Sequence, residues 1–180
     1  MLRSIPIIMA AIQLTQPKVT TEDAQRFATA LHEQAQMHDF DPLTGVAMIF
    51  HESRFNPRAV SPNGEDYGLA QIRARHIGEC ANSKSPVRNP TPACREQKER
   101  LLEPEENIRR MAELITKHRQ LCREKVGNPT LPRWLASYQG RNSVREQRWC
   151  TPAPMTWKII TFRDRLIQKL YKLGLLEKPV

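Results

Sequence analysis

The stretch "DPLTGVAMIFHESRFNPRAVS", residues 41–61, decides the fold. Asp41 followed by Pro42 is a cap and first-turn pair for a helix. Leu43, Val46, Ala47 and Phe50 then recur at helical spacing, and Gly45, Met48 and Ile49 make the opposite side apolar too. A helix that is hydrophobic all round belongs inside a core. At about 100° per residue, Glu52 falls on the Gly45 and Met48 side, at the helix's C-terminal end. Apolar neighbours and the negative end of the helix dipole both disfavour the carboxylate there and raise its pKa. A carboxyl protonated near neutral pH is suited to general acid work. Taken alone, though, a helix-terminal Glu paired with Arg54 or Arg58 is the stronger reading.

Helical periodicity continues on both sides, and no convincing alternating strand appears. From Thr21, read as a cap, the residues Ala24, Phe27, Ala28, Leu31 and Ala35 mark one helical face behind an acidic first turn. Residues 78–98, with Pro86, Pro90 and Pro92, read as a long loop pinned by Cys80 and Cys94. Pro104, Glu105 and Glu106 open another helix, striped by Ile108, Met111, Ala112 and Ile115, with Lys117, His118 and Arg119 suiting its later turns. Leu131, Trp134, Leu135 and Tyr138 repeat that spacing in a shorter helix ending near Gly140. Ile159, Phe162, Leu166 and Leu170 stripe a last helix that stops near Gly174. The expected fold class is mainly α, with at most a small β-hairpin near residues 60–72.

A chain of 180 residues with 39% hydrophobic and 26% charged side chains is a soluble globular domain able to bury its own core. The net charge of +9 favours an anionic partner without choosing among nucleic acid, lipid and cell-wall polymer. The three tryptophans do not interleave with a basic repeat, and no nucleic-acid motif occurs, so nucleic acid is the weakest of these. The four cysteines form no C-x-x-C pair, and His76 before Cys80 lacks a second paired ligand, which argues against zinc. Two disulfides in an oxidising compartment are expected. Of the three connectivities, the closed loop between residues 80 and 94 favours Cys80–Cys94 with Cys122–Cys150. Residues 1–16, with Arg3 before a short apolar run, read either as a weak secretory signal or as a loosely docked N-terminal segment. Residues 17–180 are then the domain. The apolar run is too short to span a bilayer, so no integral membrane association is expected.

Four blocks change the weight given to Glu52: "HESRFNPRAVS" from residue 51, "YGLAQI" from 67, "EPEENIRRMAELI" from 103 and "WLASYQG" from 134. In this order and at these distances the set resembles the soluble lytic transglycosylase family, whose fold is that of goose-type lysozyme. The "GEDYGLAQI" form looks closest to the small members that accompany secretion, pilus or conjugation machines, or to phage relatives. The resemblance implies Glu52 as catalytic acid and base, followed by Ser53. It implies Ser61 near the substrate's N-acetyl group, Gln71 lining the sugar cleft and Tyr138 helping to position both the acetamido group and the Glu; Tyr67, in the second block, is counted with the substrate-binding residues. Asn107 is implied as a structural residue whose amide holds loop backbone beside the cleft. Ala70 replaces a methionine common in the family, and Gln139 runs directly into Gly140 where Asn-Ala-Gly is usual, so subsite detail departs from the pattern.

The implied activity is peptidoglycan cleavage between N-acetylmuramic acid and N-acetylglucosamine with formation of 1,6-anhydro ends, in the periplasm or outside the cell. It implies peptidoglycan strands as partner, an envelope-spanning machine as a further one, and no metal or organic cofactor. Two alternatives stay open. The same fold hydrolyses if a second carboxylate aims water at the sugar, with Asp66 the candidate and Glu65 expected to point to solvent. A wall-binding module that does not turn over is the other, against which the intact Glu52, Gln71 and Tyr138 argue.

Overall fold

The computed structural model describes residues 4–81, 83 and 85–177. Its centre is helix α3, Pro42–Ser53, in which every residue from Pro42 to Ile49 is buried. The Asp41 side chain caps it by accepting from the Leu43 amide at 3.3 Å. Helix α2, Thr21–His38, lies against it so closely that a Cβ on Gly45 would stand 2.7 Å from Leu31 Cδ2. The α2 cap is Thr20 rather than Thr21: its hydroxyl accepts from the Asp23 amide, one residue earlier than the apolar pattern marks.

The N-terminal apolar run forms helix α1, Ile5–Thr15, whose Ile8, Ala11 and Ile12 are fully buried against α2 and α3. Arg3 lies outside the described residues. After α1 the Gln16 side chain donates to the Arg54 carbonyl at 3.2 Å. That carbonyl belongs to an unusual turn. Arg54 and Phe55, directly after α3, both adopt left-handed backbone, with φ of 57° and 62°. Such conformations persist only where packing enforces them. Here the Arg54 guanidinium lies 4.0 Å above the Phe50 ring, and buried Phe55 stacks on Phe27 at 6.3 Å.

A two-stranded antiparallel sheet follows, β1 (Asp66–Tyr67) paired with β2 (Ile72–Arg73) in the register Asp66 to Arg73 and Tyr67 to Ile72. The expected loop over residues 78–98 is corrected by the structure. It carries a single turn, α4 (Gly78–Ala81), and a true helix, α5 (Pro92–Arg100). Thr91 caps α5 by accepting from the Cys94 amide, and Pro92 fits the first turn, where no amide donor is needed. The helix escapes a periodicity search because only Cys94 and Gln97 of its residues are buried, which leaves no apolar stripe.

Helix α6, Pro104–Val126, buries Ile108, Met111, Ala112 and Ile115 along the expected stripe. Helix α7, Leu131–Tyr138, and helix α8, Pro154–Lys172, close the domain, with Phe162 of α8 stacked on Phe50 of α3 at 4.5 Å. Disulfides join Cys80 to Cys94, binding α4 to α5, and Cys122 on α6 to Cys150 in the segment before α8. No helix among the described residues is long and apolar enough to cross a membrane.

Candidate active site

The end of α3, the hairpin, the later turns of α6 and the end of α7 surround a cleft of about 880 Å³. Glu52, Asp66, Gln71 and Tyr138 all line it. Burial is the main force on Glu52, and the negative charge of Asp66 adds to it, so its carboxyl is pushed from the ordinary 4.5 up to about 7. No hydrogen bond from a described residue reaches that carboxyl, and none therefore favours its charged form. The helix holds a proton donor facing open space, half protonated near neutrality.

Asp66 is differently placed. Both its oxygens are engaged by Arg73 in a two-point ion pair, Nε to Oδ1 at 2.8 Å and Nη2 to Oδ2 at 3.0 Å. The β1–β2 register aligns the two residues for this. Glu65 does not point to solvent. Its side chain is only 14% exposed and pairs with Arg75, and with Arg73 at 3.6 Å. The hairpin folds two arginines back over the acidic pair, a pairing within the hairpin that a turn-like sequence does not reveal.

Gln71 donates its amide to the carbonyls of Ala59 and Gly68, at 3.2 and 3.0 Å, which leaves its Oε1 as an acceptor on the cleft wall. Tyr138 is held protonated by burial and by the negative charges of Glu52 and Asp66. Its hydroxyl leans towards the Ala70 carbonyl at 3.4 Å. Asn107, fully buried, ties this wall together. Its Oδ1 accepts from the Ala70 amide at 2.8 Å, and its Nδ2 donates to the carbonyls of Tyr67 and Leu101 at 2.8 and 2.7 Å. Gly68 must be glycine for this clamp to close: its φ is 74°, and a Cβ would stand 2.3 Å from both Leu101 O and Asn107 Nδ2.

Ser53, Ser61 and Tyr67 are not among the residues lining the cleft. The Ser61 hydroxyl is spent on its own turn, donating to Asn63 Oδ1 at 2.6 Å and accepting from the Asp66 amide at 2.9 Å. Tyr67 donates to the Gly64 carbonyl at 2.9 Å, and Ser53 reaches back to Ile49 O at 3.5 Å. All three hydroxyls donate to oxygens of the protein itself.

Sequence reasoning missed four further residues that line the cleft, His76, Lys117, His118 and Arg141. Lys117 and Arg141 have no acidic partner among the described residues. His118 lies two turns before the end of α6 and is no cation: burial, helped by Lys117, lowers its pKa to about 4 and keeps it neutral. The signal was present, since His118 lies one helical turn beyond Leu114 and two beyond Met111 on the buried side of α6.

No curated protein and no solved structure matches the chain significantly. The family comparison does. Residues 29–160, which take in α3, the hairpin, α6, α7 and every cleft residue named above, match the model described as Transglycosylase SLT domain, and the chain therefore belongs to that family of peptidoglycan-cleaving enzymes.

Proposed function

We propose that the protein is a lytic transglycosylase that cleaves the β-1,4 bond between N-acetylmuramic acid and N-acetylglucosamine, with Glu52 as the one group that moves protons. The observation that carries this reading is the Glu52 carboxyl, raised to about 7 at the end of a buried helix and facing the cleft. Protonated Glu52 gives its proton to the glycosidic oxygen as the bond to the anomeric carbon breaks. The acetamido oxygen of the same muramoyl residue bonds to that carbon and takes up the positive charge. The resulting Glu52 carboxylate then removes the proton from the C6 hydroxyl, and O6 displaces the acetamide to close the 1,6-anhydro ring. Glu52 ends protonated, and no water is consumed.

The Gln71 carbonyl oxygen and the Tyr138 phenol suit the task of orienting the acetamido group. Lys117 and Arg141, without protein counter-charges among the described residues, suit a substrate that carries carboxylates, as the net charge of +9 does at longer range. The two disulfides support a periplasmic or secreted location. Asp66 favours a second reading, inverting hydrolysis, because it shares the cleft with Glu52. Its two-point pairing with Arg73 weighs against that role, since both oxygens already accept from a cation, which makes the carboxylate a poorer proton acceptor for water.

Mass analysis of products from purified peptidoglycan separates the readings. Anhydro muropeptides, about 18 mass units lighter than hydrolysed ones because no water is added, are expected. Glu52→Gln should fold normally and lose about 10²–10⁴-fold in rate. Reducing-end products abolished by Asp66→Asn would make the enzyme a hydrolase, and normal turnover by the Glu52→Gln variant would remove Glu52 from the chemistry.

A further inference from the structure

We propose that His118 is a substrate-binding residue whose Nε2–H donates to an amide carbonyl oxygen of the bound glycan–peptide strand. This rests on the transglycosylase reading and adds a contact from α6 beside Tyr138.

The argument is one of hydrogen counting. The Asn142 amide is oriented by the Cys150 N–H, which donates to its Oδ1 at 3.0 Å. Its Nδ2 therefore faces Ser137 and donates to the hydroxyl at 2.9 Å. Ser137 is fully buried, and among the described residues its hydroxyl has no acceptor other than His118 Nδ1, 2.8 Å away. A buried hydroxyl left without an acceptor is costly, so Ser137 donates to Nδ1. A ring nitrogen that accepts carries no proton in the neutral imidazole, and the proton then sits on Nε2.

The ring is also fixed in place. Cys150 is bonded to Cys122, one turn beyond His118 on α6, so the chain of contacts from His118 through Ser137, Asn142 and Cys150 returns to its own helix. The Tyr138 ring packs edge-on at 5.8 Å. His118 lines the cleft, no described residue accepts from its Nε2, and burial keeps the imidazole uncharged. A rigid neutral donor on a cleft wall recognises an uncharged acceptor. The substrate supplies amide carbonyls from two sources, the sugar acetamido group and the first peptide bond of the stem.

The test uses the full chain. ¹⁵N NMR of the His118 ring should show the proton on Nε2; a proton on Nδ1 overturns the proposal. With peptidoglycan as substrate, His118→Ala should raise KM about 3–10-fold, the worth of one neutral hydrogen bond, with kcat little changed. His118→Gln, whose amide nitrogen reaches the Nε2 position, should restore KM, whereas His118→Asn, which reaches only Nδ1, should not. Equal effects of Ala, Gln and Asn, or a KM unmoved by Ala, overturn it. Binding of chitotetraose and of a peptide-bearing muroglycan tetrasaccharide to a Glu52→Gln background separates the sources: weakening of both by His118→Ala points to the acetamido carbonyl, and of the second alone to the stem amide. A wild-type chain that neither binds nor cleaves peptidoglycan would instead defeat the transglycosylase reading, and this contact with it.

Discussion

Asn107 offers the sharpest test of how the site is held together. Replacing it with Ala strands two groups, the Ala70 N–H and the Leu101 carbonyl, and takes a second donor from the Tyr67 carbonyl, which keeps its ladder bond to Ile72. Each stranded group costs about 1–3 kcal/mol, so the loss should be roughly 2–6 kcal/mol. That is a large part of the roughly 5–15 kcal/mol typical of a domain. Replacing it with Asp keeps the volume and the acceptor for Ala70 but turns the donor into an oxygen facing two carbonyls. At pH 7 the Asp variant should therefore be no more stable than the Ala one, despite its better fit. Its folded form prefers the protonated acid, which can donate to one carbonyl, so its pKa must lie above the unfolded value of about 3.9. The stability gap to wild type is then smallest below that pH and widens as pH rises through the folded pKa. Urea denaturation followed by circular dichroism between about pH 4 and 7, with disulfides intact, measures the gap directly. An Asp variant within about 1 kcal/mol of wild type at pH 7, or a gap that does not change with pH, would refute the clamp argument.

Other expectations follow from the same geometry. Because burial raises Glu52 from 4.5 to about 7, Glu52→Gln should match wild-type stability below pH 4.5 and exceed it by roughly 3 kcal/mol above pH 7, as seen in pH-resolved denaturation. The alkaline limb of kcat/KM should fall near pH 7, where the acid form of Glu52 is lost. Asp66→Asn removes a like charge and frees Arg73, so that limb should move to lower pH while products stay anhydro; a move to higher pH would contradict the assigned electrostatics. Gly68→Ala places a Cβ against the Leu101 carbonyl and Asn107 in a left-handed turn, and should lower stability by about 3 kcal/mol or more in thermal melts, from strain plus the displaced clamp.

The helical frame was legible in the sequence because α2, α3, α6, α7 and α8 each carry an apolar pattern at helical spacing, and Asp41–Pro42 announced the start of the central one. Glu52 was only half legible: the all-round apolar helix pointed to a raised pKa, but the same stretch also offered pairing with Arg54 or Arg58, and Arg54 instead lies over the Phe50 ring. Helix α5 was not legible, since its capping threonine and proline introduce a charged segment with no buried face. The burial of His118 was legible from its place on the α6 stripe, but its partners, and the fates of Glu65 and Ser61, were not. Each depends on partners placed by tertiary structure: Arg75 for Glu65, backbone amides of the hairpin for Ser61, and the Ser137–Asn142 pair for His118. Hydrophobic period reports which face is buried, and is silent on which polar atoms meet there.

The disulfide connectivity bears on how the chain matures. Cys80 pairs with the next cysteine along, 14 residues on, and Cys122 with the one after, 28 residues on. Neither bridge encloses the other. A polypeptide emerging from its N-terminal side into an oxidising space therefore meets each correct thiol before any competing one that follows it. Pairing in order of emergence suits a plain thiol oxidase and leaves little for an isomerase to repair. Expression in a host that oxidises thiols but cannot shuffle them should thus yield the native bridges.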